Sequence, residues 1–297
     1  MTSASNAVPP AGSTVVFVGH RERSDVAAVA SSAVEWLRSR GLQVAATSED
    51  ATSLGISDQV VAMSPDVSLD DVCLVVSIGG DGTMLRAVAL LRGLPIPVLG
   101  VNAGLLGYLA EVEPEHIVQA LERYFNGDFT LEHRMVLDVV THRQGQKSSS
   151  WRALNEASIE KTKSGQTIRL AVSIDGVPFT TFQADGLLVA TPTGSTAYSL
   201  SARGPIVSPA HRALIVTPLA PHMLFDRSLV LEPTEVVDIE ITGPQHAELA
   251  VDGQEVAILQ LGETVTCRAA IEPAVFVRLE PRRFHQVLKN KFGLSDR

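Results

Sequence analysis

A glycine turn that carries a single acid follows a buried-strand pattern in the first third of the chain. Residues 72–83 read Val-Cys-Leu-Val-Val-Ser-Ile-Gly-Gly-Asp-Gly-Thr, and such an apolar run is typical of a buried strand. Thr83 is predicted to be the N-cap of a helix over residues 84–91, whose first N–H groups would face a ligand of the turn. Open α/β proteins bind their ligands at the carboxyl edge of the sheet. We therefore expect a phosphate-bearing ligand at this turn.

The turn lacks a lysine, and this absence changes the chemistry expected of Asp81. No Lys-Ser or Lys-Thr pair follows the glycines, so the turn is not a Walker A loop, and it lacks the spacing of the G-x-G-x-x-G dinucleotide fingerprint. Without a resident ammonium group, Asp81 is free to act on a substrate hydroxyl. The alternative is that Asp81 only hydrogen-bonds to its own turn, as Asp-Gly pairs commonly do.

A second loop, rich in hydroxyl groups, lies in the C-terminal half. Asp185-Gly186 precedes an apolar strand pattern that opens into Thr-Pro-Thr-Gly-Ser-Thr-Ala-Tyr-Ser-Leu-Ser at residues 191–201. Hydroxyls grouped around Gly194 can donate to ribose or phosphate oxygens. The alternative is a turn that is capped by its own Ser and Thr side chains. Because one such loop lies in each half of the chain, we expect a ligand cleft between two domains.

Two shorter motifs also carry polar groups. Asn155-Glu156 places an amide beside a carboxylate at the start of a predicted strand, which suits adenine or a nicotinamide amide, although a solvated strand end is the alternative. Asp252-Gly253-Gln254 is most simply a hairpin turn. The eight histidines show no metal-ligand spacing. We therefore predict no resident metal and no permanently bound cofactor, and expect Mg²⁺ to arrive with a phosphate substrate.

Hydrophobic periodicity predicts an α/β domain over residues 1–133. Gly41 suits the position that follows a helix C-terminus, and alternating strands and helices are typical of a mainly parallel, Rossmann-like sheet. Strands are predicted at residues 13–18, 42–46, 71–78 and 97–101, and helices at residues 25–37, 84–91 and 115–125. Residues 1–10 are predicted to be a loose leader.

The pattern changes to an all-β, sandwich-like domain over residues 134–275. Short strands separated by Gly, Pro and Asp-Gly turns are typical of such a domain. They are predicted at residues 135–141, 152–161, 168–174, 187–190, 213–216, 236–241, 248–251 and 265–268. Residues 276–297 are predicted to return to the first domain as a strand and a helix, the helix spanning residues 282–292 with its apolar residues on one face.

Composition indicates an ordinary soluble globular protein. The 297 residues are 45% hydrophobic and 19% charged, and the net charge of −9 without a basic segment argues against nucleic acid as a partner. No apolar run is long enough to span a membrane. Cys73 and Cys267 form no disulfide framework, so a reducing cytoplasm is predicted.

Together the motifs resemble the NAD kinase family, also called inorganic polyphosphate/ATP-NAD kinases, over residues 13–290. Five stretches match in the family's order: 79–83, 155–156, 185–186, 191–199 and 252–254. The resemblance implies an α/β domain, a β-rich domain and a returning tail. It also implies transfer of the γ-phosphoryl group of ATP to the 2′-hydroxyl of the adenosine ribose of NAD, with Mg²⁺ accompanying the donor, in homodimers or homotetramers.

The resemblance also assigns roles to residues. Asp81 is similar to the group that accepts the hydroxyl proton. Residues similar to nucleotide contacts are Gly79, Gly80, Gly82, Thr83, Arg86, Asn155, Glu156, Asp185, Thr193, Gly194, Ser195, Thr196, Ala197, Tyr198, Ser199, Leu200, Ser201 and Gln254.

Two departures from the family pattern bear on phosphate binding. Members often carry a basic residue two positions before the Asp-Gly that this chain has at residues 185–186, where this chain has Gln183-Ala184, and Arg203 replaces a glycine of the usual Ala-Gly-Gly-Pro. Arg203 would carry strain if its φ is positive, or would supply the missing charge. Two alternatives remain for the function. One is a lipid kinase of the diacylglycerol or sphingosine kinase type, which shares the Gly-Gly-Asp-Gly-Thr turn. The other is a non-catalytic dinucleotide sensor.

Overall fold

The computed structural model describes residues 12–20, 26–64, 68–103, 107–143, 145, 147–281 and 283–294. The predicted leader at residues 1–10, and residues 25 and 282 at the predicted starts of two helices, lie outside this range. The chain divides into two compact units. Unit 1 comprises residues 1–133 and 274–297, and unit 2 comprises residues 134–273.

A seven-stranded sheet forms the centre of unit 1. Its strands are β1 Thr14–Gly19, β2 Gln43–Thr47, β3 Val61–Met63, β4 Val72–Gly79, β5 Val98–Asn102, β6 Thr130–Arg134 and β19 Ala274–Arg278. Their order in the sheet is β3-β2-β1-β4-β5-β19-β6, and the pairs from β3 through β19 are parallel. The order reverses between β1 and β4, so the switch point of this Rossmann-like sheet lies between those two strands.

The helices of unit 1 pack their apolar sides on this sheet. These helices are α1 Ala27–Ser39, α2 Ser48–Ser53, α3 Asp81–Leu90 and α4 Ile117–Phe125, with a 3₁₀ turn at Pro114–His116 before α4. The tail helix α6 Phe284–Lys291 also belongs to unit 1, but none of its residues is buried. In α1 the buried residues recur at helical spacing, for example Ala30, Val34 and Leu37. Gly41 follows α1 with φ +77°, as its predicted position requires.

Unit 2 is a sandwich of two antiparallel six-stranded sheets around one apolar core. One sheet has the order β11-β10-β15-β18-β7-β8, and the other has the order β14-β13-β12-β9-β16-β17. The strands of unit 2 are β7 Leu137–His142, β8 Ser149–Ala153, β9 Glu156–Lys161, β10 Ile168–Ile174, β11 Val177–Ala184, β12 Gly186–Ala190, β13 Leu214–Leu219, β14 Leu229–Leu231, β15 Val237–Ile241, β16 Ala247–Val251, β17 Gln254–Leu259 and β18 Thr264–Ala269. A short helix, α5 Tyr198–Ser201, follows β12.

The predicted fold class is confirmed, with an α/β unit, a β-sandwich and a tail that returns to the first sheet as β19. Two predicted elements are wrong. The single strand at residues 152–161 is two strands, β8 and β9, which belong to different sheets. Helix α3 begins at Asp81 with Gly80 at its N-cap, so Thr83 lies inside the first turn instead of capping it. Sequence periodicity also missed the shorter or edge elements α2, β3, β6, β11, β14 and β17.

Candidate functional site

Asp81 lies at the carboxyl end of β4, beside the switch point of the parallel sheet. The N–H groups of Thr83 and Met84 donate to the carbonyl of Gly80, at 3.0 and 3.2 Å, and thereby begin helix α3. This places the Asp81 carboxylate in the first helical turn, where the partial positive charge of the helix N-terminus favours an acid. Open α/β proteins bind ligands at this position of the sheet.

Two backbone N–H groups hold the Asp81 carboxylate. Tyr108 N–H donates to Oδ2 at 2.8 Å, and Leu109 N–H donates to Oδ1 at 3.0 Å. Gly107 lies so close that a Cβ there would be 2.2 Å from Oδ1. We call residues 107–109 the carboxylate clamp. A carboxylate offers about four lone-pair positions, so the half-buried Asp81 keeps accepting capacity for a substrate hydroxyl while it remains clamped.

The glycines of the turn serve different purposes. Gly79 is required by packing, because a Cβ there would be 2.2 Å from the Thr83 hydroxyl oxygen. At Gly80 and Gly82 a Cβ would meet no atom of the described residues within 4 Å, and neither residue has a positive φ. The fold therefore has no need of glycine at these two positions, and their bare backbone leaves room for a ligand to approach.

Arg86 is committed to the fold of unit 1. Its guanidinium donates to the Gly19 carbonyl at 2.8 Å and to the carboxylate of the buried Asp50 at 2.7 Å. Asp50 also accepts from the Gly19 N–H and from the Thr47 hydroxyl. Arg86 thus joins the end of β1 to α2 and α3, and a contact with a nucleotide would have to use its remaining donors.

In unit 2, Asp252 organises the junction between β8 and β9. Its carboxylate accepts the N–H groups of Leu154, Asn155 and Glu156 at 2.8, 2.7 and 3.2 Å. Asp252 and Gly253 have φ of +48° and +76°, as a type I′ hairpin turn requires. The hairpin prediction for this motif is therefore right, and the side chain of the turn has a second role. Burial raises the pKa of Asp252, while these three N–H groups act in the opposite direction.

Glu156 is buried at the start of β9, with 7% of its surface exposed. Among the residues that the structure describes, its Oε2 atom has no hydrogen-bond partner. Burial, and then the neighbouring Asp252 carboxylate, raise the pKa of Glu156 to about 8. A neutral carboxyl group can donate a hydrogen bond as well as accept one, so at neutral pH Glu156 can pair with an acceptor atom of a ligand.

Most hydroxyls of residues 191–201 face inward and stabilise the loop itself. Thr191 Oγ1 donates to the Leu154 carbonyl at 2.6 Å, and Ser195 Oγ is shared between the backbones of Pro192 and Val207. Ser199 Oγ lies 3.4 Å from the Thr217 hydroxyl. Thr193 Oγ1 accepts from Arg134, and Gly194 packs so tightly that a Cβ would be 2.1 Å from the Asn155 carbonyl oxygen. Thr191, whose Oγ1 also accepts the Gly194 N–H, and Ser195 therefore follow the alternative interpretation of a self-capped turn, whereas Thr193 and Ser199 pair with side chains outside the loop.

The surface of this loop carries Tyr198, which lies among acids. Its hydroxyl donates to Glu160 at 2.9 Å, and its pKa is raised to about 12 by burial and then by Glu160, Glu156 and Asp185. Asp185 in turn pairs with Lys161 Nζ at 2.6 Å. Sequence analysis missed Glu160 and Lys161, which lie on the strand that begins at Glu156. Because alternate residues of a strand share a face, the strand pattern could have marked Glu160 as lying on the face of Glu156, with Lys161 next to it in the chain.

This cluster of acids suits one class of ligand. Carboxyl groups at Glu156, Glu160, Asp185 and Asp252, with one lysine, favour ligand hydroxyls and amino groups and disfavour phosphates. Ribose and adenine carry such groups. Gln254, at the start of β17, is exposed.

The two departures from the family pattern have structural outcomes. Arg203 has φ +64°, so the position does require the left-handed region. Its side chain is exposed. Gln183 is also exposed, and its amide nitrogen donates to the Thr167 hydroxyl at 3.2 Å.

Neither a metal-binding cluster of side chains nor a membrane-spanning helix occurs in the described part of the chain. No group of three or more His, Cys, Asp or Glu side chains within it is arranged to hold a metal ion. No helix within it is long and apolar enough to cross a membrane.

Both halves of the chain match models of one enzyme family. Residues 15–129 match the ATP-NAD kinase N-terminal domain, and residues 154–279 match the ATP-NAD kinase C-terminal domain. An NAD kinase of Syntrophotalea carbinolica is 37% identical over 274 residues, which are 92% of this chain and 95% of that protein. An NAD kinase of Mycolicibacterium paratuberculosis is 38% identical over 298 residues, which are 96% of this chain and 97% of that protein.

Solved structures give the same assignment. Yeast NADH kinase complexed with NADH superimposes with a TM-score of 0.88 at 25% identity, covering 97% of this chain and 90% of that one. An NAD kinase from Archaeoglobus fulgidus in complex with ATP superimposes with a TM-score of 0.73 at 25% identity, covering 95% and 100%. The family matches exclude the lipid-kinase alternative. The chain belongs to the NAD kinase family and is a phosphotransferase that acts on NAD.

Proposed function

We propose that this NAD kinase transfers the γ-phosphoryl group of ATP to the 2′-hydroxyl of the adenosine ribose of NAD, producing NADP, with Asp81 as the general base. The observation that carries this proposal is the clamped, half-buried carboxylate of Asp81 at the switch point of the sheet. A ribose hydroxyl is a poor nucleophile at neutral pH. A carboxylate within hydrogen-bond reach orients the hydroxyl and takes its proton as the new phosphorus–oxygen bond forms and the bond from the γ-phosphorus to the bridging oxygen breaks, releasing ADP.

The residues of unit 2 are proposed to bind the nucleoside. Asn155, Glu156, Asp185 and Tyr198 present acceptors and donors that suit ribose hydroxyls and an adenine amino group. Within residues 196–201, the partly or fully exposed members are the ones that can reach a ligand. Gln254 and, in unit 1, Gly82 and Arg86 are proposed as further contacts.

The phosphoryl donor is proposed to be ATP bound with Mg²⁺ as a substrate pair. Mg²⁺ keeps several waters and binds chiefly through substrate phosphates, so it needs no dedicated protein cage. Polyphosphate is a possible second donor that the family name suggests. A cytoplasmic location and assembly into homodimers or homotetramers stay predictions.

Asp81→Asn tests the base role. Asparagine keeps the size of the side chain but cannot accept the proton, so kcat is expected to fall by about 10²–10⁴, while KM for NAD changes far less. The amide nitrogen would face one N–H group of the clamp, and we expect this to lower the free energy of unfolding by roughly 1–3 kcal/mol. Steady-state kinetics, a thermal melt and direct titration with NAD measure these effects.

The matched control is Asp128→Asn, which neutralises an exposed aspartate of unit 1 and should leave kcat unchanged. NADP is assayed with an enzyme that requires the 2′-phosphate, with MgATP and polyphosphate as donors in parallel. A near-normal kcat for Asp81→Asn would remove the base role. A product that the NADP-specific enzyme does not accept would show that another hydroxyl is phosphorylated.

A further inference from the structure

Arg278, the last residue of β19, is a buried arginine in the C-terminal segment, with 5% of its surface exposed. Its Nη1 atom donates to the Leu109 carbonyl at 2.9 Å and to the Glu111 carboxylate at 3.1 Å. Its Nε atom donates to the Glu132 carboxylate on β6. The Leu279 N–H group donates to the other oxygen of Glu111 at 2.8 Å. Two successive residues of the tail, Arg278 and Leu279, therefore hydrogen-bond to the segment at residues 109–111.

Leu109, to whose carbonyl Arg278 donates, belongs to the carboxylate clamp. Leu109 donates its N–H to Asp81 Oδ1 and accepts the Arg278 guanidinium at its carbonyl. Both backbone polar groups of Leu109 are thus engaged, one by the reacting carboxylate and the other by the tail. Leu109 is also almost fully buried, which leaves it little freedom to move while Arg278 stays in place.

We propose that Arg278 is a positioning residue for phosphoryl transfer, which acts through Leu109 to hold the Asp81 carboxylate in its reactive orientation. This inference rests on the proposed role of Asp81. Rotation of a carboxylate about its terminal torsion is only weakly restricted by intrinsic preferences, so the clamp has to set its direction. A displacement of about 1 Å in a reacting group can lower a rate by about 10²-fold.

The shape of the guanidinium explains why an arginine is needed. Its rigid fork reaches the Leu109 carbonyl and the Glu111 carboxylate from Nη1 and the Glu132 carboxylate from Nε, whereas a lysine ammonium is a single point charge on a flexible stem. Buried ion pairs often contribute little net stability compared with apolar residues of the same volume. We therefore expect Arg278 to contribute chiefly to the orientation of the Asp81 carboxylate, and hence to kcat.

Arg278→Lys is the primary variant, because it keeps a positive charge beside Glu111 and Glu132. It is expected to lower kcat by about 10- to 100-fold, since the Leu109 carbonyl loses its fixed donor, with KM for NAD and MgATP changed by less than about threefold. Hydrogen–deuterium exchange of the peptide spanning residues 107–112 should accelerate in this variant, while exchange in α1 and β1 stays unchanged.

Arg123→Lys is the matched control. Arg123 also binds the tail, at the Leu279 carbonyl and the Glu280 carboxylate, but it makes no hydrogen bond to residues 107–111 in the described part of the chain. Its replacement loosens the tail without releasing the clamp, so kcat should stay within about twofold of wild type. An equal loss of kcat in both variants would show that general loosening of the tail is responsible, and would overturn the proposal.

If Arg278→Lys does not fold, Arg278→Gln combined with Glu111→Gln replaces it. This pair removes the arginine together with one buried partner and leaves only the partly exposed Glu132 charge, so the penalty for an unpaired buried carboxylate is small. The same fall in kcat with little change in KM is expected.

A double-mutant cycle with Asp81→Asn separates the two proposals. If Arg278 acts through Asp81, its replacement should lower kcat by less than about twofold in the Asp81→Asn background. An undiminished loss in that background, or a normal kcat for a folded Arg278 variant, would overturn the positioning role. A normal kcat for Asp81→Asn alone would instead overturn the proposed function.

Discussion

Asp81 and Glu156 are two carboxyl groups that the fold places in contrasting environments. Asp81 is half-buried, and each of its two oxygens accepts one backbone N–H group. Glu156 is buried beside another acid and has one oxygen without a partner in the described residues. The environment of an acid decides which chemical role suits it. The first suits proton acceptance, and the second suits a hydrogen bond to a nucleoside.

The raised pKa of Glu156 predicts how stability depends on pH. The folded state keeps this proton up to about pH 8, whereas the unfolded chain releases it near its ordinary value, about 4.3. The folded state binds more protons between these values, so stability from this group is present below the unfolded pKa and falls as pH rises to about 8. We expect wild type to lose roughly a few kcal/mol across this window, since each pKa unit corresponds to about 1.4 kcal/mol. Glu156→Gln should remove this loss.

Urea unfolding at several pH values between 5 and 8.5 measures the effect. In a Trp36→Phe background Trp151 is the remaining tryptophan, and its fluorescence reports on unit 2. Glu160→Gln, on the same strand, is the matched control and should keep the pH dependence of wild type. The interpretation fails if Glu156→Gln and wild type lose stability in parallel as pH rises.

At the scale of elements, the short helix α5 ends in a Schellman motif with an arginine at the left-handed position. The Gly204 N–H donates to the Ser199 carbonyl at 2.7 Å, and the Arg203 N–H donates to the Leu200 carbonyl at 3.0 Å. A Cβ at Gly204 would be 2.2 Å from Ser199 Oγ. Arg203 itself, with φ +64°, carries the strain that glycine would relieve.

Arg203→Gly is expected to raise the free energy of unfolding by about 0.5–1 kcal/mol. The left-handed conformation costs an L-residue about 1–2 kcal/mol, and the extra backbone entropy of unfolded glycine offsets part of this. If the exposed guanidinium binds a phosphate of NAD or ATP, KM should rise at the same time by the equivalent of about 1.5–3 kcal/mol. Urea unfolding and steady-state kinetics on the same preparation measure both effects.

Arg92→Gly is the matched control, because Arg92 follows helix α3 with φ +49°. It should gain similar stability without a change in KM. If Arg203→Gly leaves KM unchanged while stability rises, the arginine contributes no phosphate contact. If stability falls instead, the strain argument is wrong.

At the scale of the whole molecule, the chain completes its first sheet with its last strand. Strand β19 lies between β5 and β6, and all five of its residues are buried. A boundary drawn after residue 133 therefore separates unit 1 from a strand inside its own sheet. The tail also brings Arg278 to the clamp, so its contribution extends beyond packing.

Residues 1–133 alone are expected not to unfold cooperatively, whereas residues 1–133 joined by a flexible Gly/Ser linker to residues 274–297 should do so. Losing the burial of Phe276 and Val277 lowers the free energy of unfolding by about 1.5–3 kcal/mol for each residue. This loss is a large share of the roughly 5–15 kcal/mol by which a typical domain is stable. Trp36 fluorescence in urea measures unfolding in both chains. A joined chain carrying Phe276→Asp should behave like residues 1–133, and equal cooperative transitions in all three chains would contradict the prediction.

The sequence by itself determined the fold class and the places where the two candidate loops begin, and the family followed from the resemblance of its motifs. Local spacing is enough for the fold class and the loops: the buried run before Asp81 marks the end of a parallel strand, and Asp252-Gly253 marks a type I′ turn. The strand at residues 168–174 was predicted with the bounds that the structure shows. The break between β8 and β9 was missed, because the residues on both sides of it follow a strand pattern.

The tertiary structure decided which groups act together. Asp81 meets Tyr108 and Leu109, which are 27 and 28 residues away, Asp252 meets Asn155 across 97 residues, and Arg278 meets Leu109 across 169. Composition and periodicity describe only near neighbours, whereas strand order and register select partners this distant. For the same reason the hydroxyls of residues 191–201 looked like ligand donors in the sequence, although several of them are engaged within the fold, by the backbone of the loop or by side chains of other elements.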